Sequence, residues 1–339
     1  MKLAILKSAF FKPKKPVHLV LHVTNKCNYR CQHCFVDFSH KVTDLTLEEI
    51  KGIASYLDKL IWLDIGGGEP FLRKDLPEIC SSFNAKAISI PTNGAFPSSI
   101  VDITREIRKK TKAELTICVS IDGFEESNDF IRSEGSYSKA IETLKLLKEV
   151  EGIRVKVNTV LCGKNYNELI DFMKFIKGFD PDFHSIIIRR GDPVPPDFEH
   201  PTHEQLENIK EDIFRIWQTY EIKKGFQSKI LDNYKRLVYQ AGLDVIEHER
   251  QIPDCLAGTH HLVVYANGDV STCETLRPYG NIRKTKLEPL LKSEVAVQMR
   301  KLIEDKMCYC YHNCNLVENY FLNPQHYPKL LAGVLSGKS

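Results

Sequence analysis

The 339-residue sequence has no apolar run near the roughly 18 residues that a membrane-spanning helix needs. It also lacks a convincing signal peptide, because Lys7 interrupts the first apolar stretch and no small-residue cleavage site follows. Neither sign of charge predominates, since 47 lysines and arginines face 44 aspartates and glutamates. A net charge of +3 gives no reason to expect nucleic-acid binding. We therefore expect a cytoplasmic protein without a nucleic-acid partner.

Hydrophobic residues make up 42% of the sequence, so core-forming residues are not depleted. This composition argues against a disordered chain. Short β-branched segments alternate with amphipathic helical segments, and the first helix begins with a capping box at Thr46 and Glu49. Strands are predicted at 17–23, 61–65, 87–90, 115–121, 155–161 and 185–188. Six such units predict an α/β fold with a parallel sheet, namely a partial (β/α)6 TIM-like barrel.

Beyond a proline-rich loop at 191–201, the pattern changes. Helices are predicted at 202–220 and 229–245, followed by a hairpin that turns at Asn267 and Gly268 and by one helix at 287–304. The expected parts are an N-terminal extension at 1–16, the partial barrel at 17–247, a small cysteine-rich lobe of a β-hairpin plus helix at 248–325, and a tail at 326–339.

Eleven cysteines are the most informative count, because eight of them fall in two tight groups. A reducing compartment disfavours disulfides, so clustered cysteines suggest metal or iron–sulfur ligation. The first group is Cys27, Cys31 and Cys34. Three thiolates do not complete a structural zinc site, but they can hold three irons of a [4Fe–4S] cube and leave the fourth iron open. A zinc site with a fourth ligand from a nearby histidine is the alternative, and the candidates are His18, His22 and His40.

This CxxxCxxC loop follows the first predicted strand, and the sequence GGGEP follows the second. Together they resemble the radical S-adenosylmethionine (SAM) superfamily. The resemblance implies that Glu69 and its glycines contact the SAM amino group, that Arg132 binds the carboxylate, and that Asn158 binds the ribose. The full set of implied cofactor-binding residues is His33, Gly67, Gly68, Glu69, Asn93, Ser120, Asp122, Arg132 and Asn158.

The second cysteine group consists of Cys255, Cys273, Cys308, Cys310 and Cys314. The spacing from Cys255 through Gly268 to Cys273 resembles the opening of the SPASM and Twitch domains of radical SAM enzymes. The resemblance implies one auxiliary [4Fe–4S] cluster in a Twitch-like lobe, held by Cys255, Cys273 and two of the last three cysteines, of which the spacing favours Cys310 and Cys314. A structural zinc site is the alternative. The three remaining cysteines lie in helix or strand patterns and are expected to be buried: Cys80, Cys118 and Cys162.

The resemblance also implies a reaction. A reductant such as flavodoxin or ferredoxin supplies one electron, SAM is cleaved to methionine and a 5′-deoxyadenosyl radical, and that radical abstracts a hydrogen atom from the substrate. An auxiliary cluster that accepts an electron implies a radical SAM oxidoreductase. Because only sixteen residues precede the first strand, we expect a small-molecule, sugar-linked or lipid-linked substrate. A peptide maturase is the alternative, and an iron–sulfur electron carrier or a zinc-stabilised binding module is the non-enzyme alternative.

Two further features concern partners. Arg189 and Arg190, at the end of the sixth predicted strand with Asp192 nearby, can bind a phosphate or carboxylate. The lysines of the first sixteen residues can lie against an anionic membrane. The alternative for this segment is a frayed terminus that packs Phe10 or Phe11 on the barrel.

Overall fold

The computed structural model describes residues 2–36, 38, 42–189, 198, 200–220 and 226–335. Its centre is a nine-stranded sheet in the order β6-β5-β4-β3-β2-β1-β7-β8-β9. Strands β1 to β6 are parallel and follow the order of the chain, as the predicted α/β partial barrel requires. These strands are β1 His18–Thr24, β2 Lys59–Gly67, β3 Asn84–Thr92, β4 Glu114–Ser120, β5 Ile153–Leu161 and β6 Phe183–Ile188. All six predicted strands are therefore confirmed.

Helices connect the barrel strands. The capping box that begins α2 is confirmed, because the Thr46 side chain accepts the Glu49 N–H and Glu49 accepts the Thr46 N–H. The helices up to the end of the barrel are α1 Lys2–Phe10, α2 Leu47–Leu57, α3 Leu76–Ser82, α4 Pro97–Lys110, α5 Glu125–Ile131, α6 Ser136–Lys148, α7 Leu169–Lys177, α8 His203–Gln218 and α9 Phe226–His248. The last two correspond to the two helices that were predicted after the proline-rich loop.

The predicted hairpin is confirmed and extends the barrel sheet. Strand β7 (His261–Val264) pairs in parallel with β1, and β8 (Asp269–Ser271) and β9 (Gly280–Asn281) continue from it in antiparallel fashion. The single helix predicted at 287–304 is wrong. The chain forms α10 (Leu287–Leu291) and α11 (Glu294–Glu304), because Ser293 caps a new helix by accepting the Ala296 N–H.

The C-terminal region ends in two further helices, α12 (Asn313–Leu322) and α13 (Tyr327–Leu335). They pack with α9 in a separate apolar cluster that includes Tyr234, Leu316 and Leu330. The expectation of a frayed N-terminus is wrong, because residues 2–10 form helix α1. Phe10 contacts the Tyr327 ring of α13, with the ring centroids 6.1 Å apart. No helix in the described part of the chain is long and apolar enough to cross a membrane.

The two faces of the barrel sheet differ in polarity. Residues such as Leu63, Ile117 and Val157 are fully buried against the helices. Their neighbours along the strands point to the other face, because side chains alternate in a β-strand. Away from β1, this inner face is only half-buried and carries polar side chains: Asp64, Ser89, Ser120, Lys156 and Asn158. The barrel therefore encloses a polar, accessible surface.

A neutral histidine lies inside the barrel wall at β6. Thr159 donates its hydroxyl hydrogen to the Ile121 carbonyl, so its oxygen accepts from Nε2 of His184. The other ring nitrogen, Nδ1, is buried without a partner in the described structure. Burial lowers the pKa of His184 to about 3. Protonation of His184 therefore requires unfolding or a large rearrangement.

This histidine predicts acid sensitivity. Below pH 6.5 the unfolded chain binds a proton that the folded chain excludes, so the free energy of unfolding falls as pH falls. We expect a loss of about 2 kcal/mol between pH 6.5 and 5 from this group. Urea denaturation across this range should show a flatter pH dependence for His184→Gln, whose amide can still donate to Thr159. Equal slopes for the two proteins would contradict the assignment.

Candidate active site

The first cysteine group lies in the loop that leaves β1. The Cys34 N–H donates to the Cys31 carbonyl at 3.0 Å, which turns the loop back on itself. Gln32 attaches the loop to α5 through its N–H, which donates to the Ile131 carbonyl. Burial raises the pKa of all three thiols, that of Cys31 to about 11. Three thiols that converge in a partly buried loop fit a cluster whose irons replace the thiol protons.

The glycines after β2 lie against this loop. The Gly68 N–H donates to the Thr24 carbonyl at 2.8 Å, and Gly67 adopts a φ of +109° that favours glycine. A Cβ on Gly67 would overlap the Thr24 carbonyl oxygen, and a Cβ on Gly68 would overlap that of Lys26. The glycines therefore allow β2 to approach the cysteine loop, and their contact with SAM stays a prediction.

This close approach predicts a large effect of a single methyl group. Gly68→Ala should lower the free energy of unfolding by about 3 kcal/mol, because the Lys26 carbonyl cannot move without displacing the cysteine loop. Gly52→Ala is the matched control, since Gly52 lies exposed in α2 with no atom within 4 Å of an added Cβ. That control should gain about 0.5 to 1 kcal/mol from helix propensity. Denaturation midpoints measure both effects, and equal stability of the two variants would contradict the prediction.

Glu69 is buried where β2 and β3 end. Its carboxylate accepts the Asn93 N–H at 2.7 Å, the Thr92 hydroxyl at 3.0 Å and the Phe71 N–H at 3.2 Å. Burial raises the pKa of Glu69 to about 7 against the effect of these donors. The carboxyl group therefore lies near its titration point at neutral pH, and its predicted contact with an ammonium group would favour the charged form.

Asn93 connects Glu69 to the cysteine loop. Its amide nitrogen donates to Asn28 Oδ1 at 2.8 Å and lies 3.9 Å from Sγ of Cys27. Its side-chain oxygen accepts the Ala95 N–H. Because both the nitrogen and the oxygen of this amide make hydrogen bonds, they fix the orientation of the end of β3 relative to the cysteine loop.

Asp122 joins two other predicted residues and is completely buried. Its Oδ2 lies 2.6 Å from Nε2 of His33 and 2.7 Å from Nε of Arg132, and its Oδ1 accepts the Val160 N–H. Burial alone would raise the pKa of Asp122, but Arg132 and His33 outweigh it and hold that pKa well below its usual range. Arg132 Nη1 also lies 3.9 Å from Sγ of Cys31. Asp122 therefore orients both side chains beside the cysteine loop.

The remaining predicted SAM-binding residues lie on the inner face. Ser120 and Asn158 are Cα partners on β4 and β5. Apart from Asn158, which lies three residues before the end of β5, the predicted residues lie at or beyond the carboxyl ends of β1 to β4, where ligands bind in parallel sheets. Their individual contacts with SAM stay predictions.

Four thiols of the second cysteine group line one pocket. They are those of Cys255, Cys273, Cys308 and Cys310. Burial raises the pKa of these thiols where a shift is resolved, that of Cys308 to about 11. Four thiols around one pocket fit a four-thiolate cluster. The side chain of Cys314 lies outside the described residues, so the choice among the last three cysteines stays open.

Glu274, which the sequence patterns did not single out, joins His22 of β1 to His312. Glu274 directly follows Cys273, and its carboxylate lies 3.0 Å from Nε2 of His22 and 3.6 Å from Nδ1 of His312. His22 is on the inner face of β1 and packs against the Tyr265 ring. No sequence pattern links residues 252 positions apart, although the adjacency of Glu274 to Cys273 was a visible signal.

Cys80, Cys118 and Cys162 are buried, as expected. Arg189 follows β6, and its buried Nε has no hydrogen-bond partner within the described structure. Three further candidates lie outside the described residues: His40, Arg190 and Asp192.

Comparisons with known proteins agree with this arrangement. The chain matches the radical SAM superfamily over residues 21–176 and the SPASM iron–sulfur cluster-binding domain over residues 255–315. It is 25% identical to the antilisterial bacteriocin subtilosin biosynthesis protein AlbA of Bacillus subtilis, covering 76% of this chain and 55% of that protein. It is 32% identical to a probable GTP 3′,8-cyclase of Archaeoglobus fulgidus, covering 76% of this chain and 85% of that protein.

The fold is also found in solved structures. The structure of native anSMEcpe with bound AdoMet and a peptide superposes with a TM-score of 0.64 at 16% identity, covering 95% of this chain and 99% of that chain. The chain spans about half the length of the first curated relatives that it matches. Because the cysteine loop, both sequence-family matches and the cyclase relative agree, the chain belongs to the radical SAM superfamily and carries a C-terminal SPASM domain, so that SAM, a [4Fe–4S] cluster and auxiliary iron–sulfur are its cofactors.

Proposed function

We propose that this radical SAM enzyme oxidises its substrate by two electrons on the polar inner face of the barrel. The observation that carries the proposal is the position of this face. His22, which belongs to this face on β1, lies 3.0 Å from Glu274, and Glu274 directly follows Cys273 of the second pocket. A substrate held there reaches both centres.

The cofactors supply, when bound, a hydrogen-atom acceptor at the first cysteine group and an electron acceptor at the second. The chain positions the reactants. Asp122 holds Arg132 and His33 beside the cysteine loop, and Glu69 holds the ends of β2 and β3 together. The polar face replaces water around a bound substrate with oriented side chains.

A two-electron oxidation that removes two hydrogens releases one hydrogen atom, one electron and one proton. The proton needs a base. We assign Glu274 as this base, because its side chain is 7% exposed next to Cys273 and its Oε1 lies at hydrogen-bonding distance from His22. The proton moves to a carboxylate oxygen of Glu274, and His22 and His312 stabilise both charge states.

The first substrate candidate is a small molecule, including a sugar-linked or lipid-linked one, that carries negative charge. Lys156 lies half-buried on the inner face, and the buried Nε of Arg189 has no hydrogen-bond partner in the described structure. Cations at these positions suit a phosphate or carboxylate. A relative that is 32% identical is named as a GTP 3′,8-cyclase, which supports a small anionic substrate.

The second candidate is a peptide side chain. AlbA is named for bacteriocin biosynthesis, and anSMEcpe has been solved with a bound peptide. Since that chain is matched over 99% of its length, an architecture of this size supports peptide binding without a further recognition domain. The short N-terminal segment therefore does not argue against a peptide.

The remaining proposals concern partners and boundaries. Radical SAM enzymes need a one-electron reductant, and we propose flavodoxin or ferredoxin for this role. We also propose the boundaries 17–247 for the barrel and 248–325 for the auxiliary lobe, with cytoplasmic location and weak or no membrane contact.

The test is formation of 5′-deoxyadenosine by the anaerobically reconstituted protein with SAM and dithionite. The wild type and the control Cys80→Ala should form it, because Cys80 is buried in α3 away from both cysteine groups. The triple variant Cys27→Ala, Cys31→Ala, Cys34→Ala should form none. Absence of product from fully iron-loaded wild type would overturn the proposal. Anionic small molecules and peptides, added in parallel, should differ in how strongly they accelerate SAM cleavage.

A further inference from the structure

Three buried side chains meet at the opposite end of the barrel from the cysteine loop. His18 is the first residue of β1, His261 is the first residue of β7, and their Cα atoms are partners in the sheet. Glu318 reaches them from α12. All three are at most 3% exposed. Nothing in the proposed reaction uses this cluster.

The three side chains direct one atom each to a common point. Oε2 of Glu318 lies 2.7 Å from Nδ1 of His18 and 3.2 Å from Nδ1 of His261, and the two Nδ1 atoms are 3.1 Å apart. Hydrogen bonds satisfy this triangle poorly. If both nitrogens donate to the carboxylate, their hydrogens face each other, and if one nitrogen lacks a hydrogen, only two of the three contacts are favourable.

Two further observations indicate a cation. The far ring nitrogen of His18, Nε2, lies 3.1 Å from the Asp64 carboxylate, which is the usual arrangement for an imidazole that binds a metal through its other nitrogen. Oε1 of Glu318 is buried and has no hydrogen-bond partner in the described structure, so a second carboxylate oxygen is free to coordinate. A buried carboxylate with a free oxygen is costly unless a positive charge lies beside it.

We propose that His18, His261 and Glu318 form a structural binding site for a divalent transition-metal ion. The two imidazole nitrogens and the two oxygens of Glu318 supply the four donor atoms that a closed structural zinc site needs, and the same donor set also binds ferrous iron. The alternative to a metal ion at this point is a proton on one of the histidines. Burial would lower the pKa of His18, but Asp64 and Glu318 outweigh it and raise that pKa to about 10, so that the cluster without a metal contains an imidazolium.

The position of the site gives the metal a structural role. It joins β1, β7 and α12, and the next residue on α12, Asn319, lines the auxiliary cysteine pocket and accepts the Leu256 N–H. A metal at this point would hold α12 against the sheet and keep the walls of that pocket in place. The inference does not depend on the proposed substrate or reaction.

Elemental analysis of the reconstituted holoenzyme tests the proposal. Wild type should contain one equivalent of zinc, or one iron beyond its clusters, per chain. His261→Gln should lose at least nine tenths of that equivalent while it keeps the cluster iron. His260→Gln is the matched control, because His260 is buried one residue earlier and its ring bonds only the Ser8 carbonyl and Thr259 among the described residues. It should keep the metal.

Anomalous diffraction of the wild-type crystal at the zinc and iron edges provides a second measurement that does not require a folded variant. A peak among His18, His261 and Glu318 supports the site, and the edge identifies the ion. No peak there, or equal metal content in all three proteins, overturns the proposal and leaves a proton-bridged cluster.

Discussion

Asp122→Asn is expected to lower the rate of 5′-deoxyadenosine formation by roughly 100-fold. The carboxylate pairs with both His33 and Arg132, and an amide offers neither a negative charge nor a second acceptor oxygen to them. Arg132 then remains buried without its counter-charge, which weakens its orientation beside Cys31. We expect a higher KM for SAM together with a lower kcat, because the affected residues are positioned to bind the cofactor.

The matched control is Asp75→Asn. Asp75 also pairs with an arginine, Arg73, at 2.7 Å, but its carboxylate is 36% exposed, so that water can replace part of the lost contact. This variant should keep wild-type SAM cleavage. The iron content of Asp122→Asn and its EPR signal with SAM distinguish positioning from simple unfolding. An unchanged KM for SAM in the folded, iron-loaded variant would contradict the assigned role.

Cys255→Ala is expected to abolish substrate oxidation while SAM cleavage continues. Cys255 lines the second pocket, and its loss leaves an auxiliary cluster without one of its thiolates. Iron content should fall from about eight to about four atoms per chain. The first cysteine group, on the loop after β1, should keep its iron and its reaction with SAM.

Single alanine variants at the last three cysteines identify the other ligands. Cys310→Ala should behave like Cys255→Ala, because Cys310 lines the pocket and also has the spacing that favours ligation. Either Cys308→Ala or Cys314→Ala should do the same, and the other should keep its iron. Cys162→Ala is the control, since this buried thiol belongs to a small apolar cluster with Ile131 and Phe198. Full iron content in Cys255→Ala would contradict a cluster at this pocket.

Much of the barrel could be predicted because its signals are local. All six parallel strands, the capping box at Thr46 and the hairpin turn at Gly268 depend on residues a few positions apart. The spacing of Cys27, Cys31 and Cys34 is equally local, so the resemblance to the radical SAM superfamily could be seen in a short stretch of sequence. The errors also had local causes, since Ser293 divided a helix that hydrophobic periodicity had extended across it.

Other parts of the site could not be predicted, because their contacts join distant segments. Asp122 meets His33 across 89 positions, Glu274 meets His22 across 252, and Glu318 meets His18 across 300. Sequence patterns show which residues can ligate metals or carry protons, since that depends on residue type and near neighbours. Which of them meet depends on the pairing of β7 with β1 and on the packing of α12 against the sheet, and neither leaves a periodic signal in the chain.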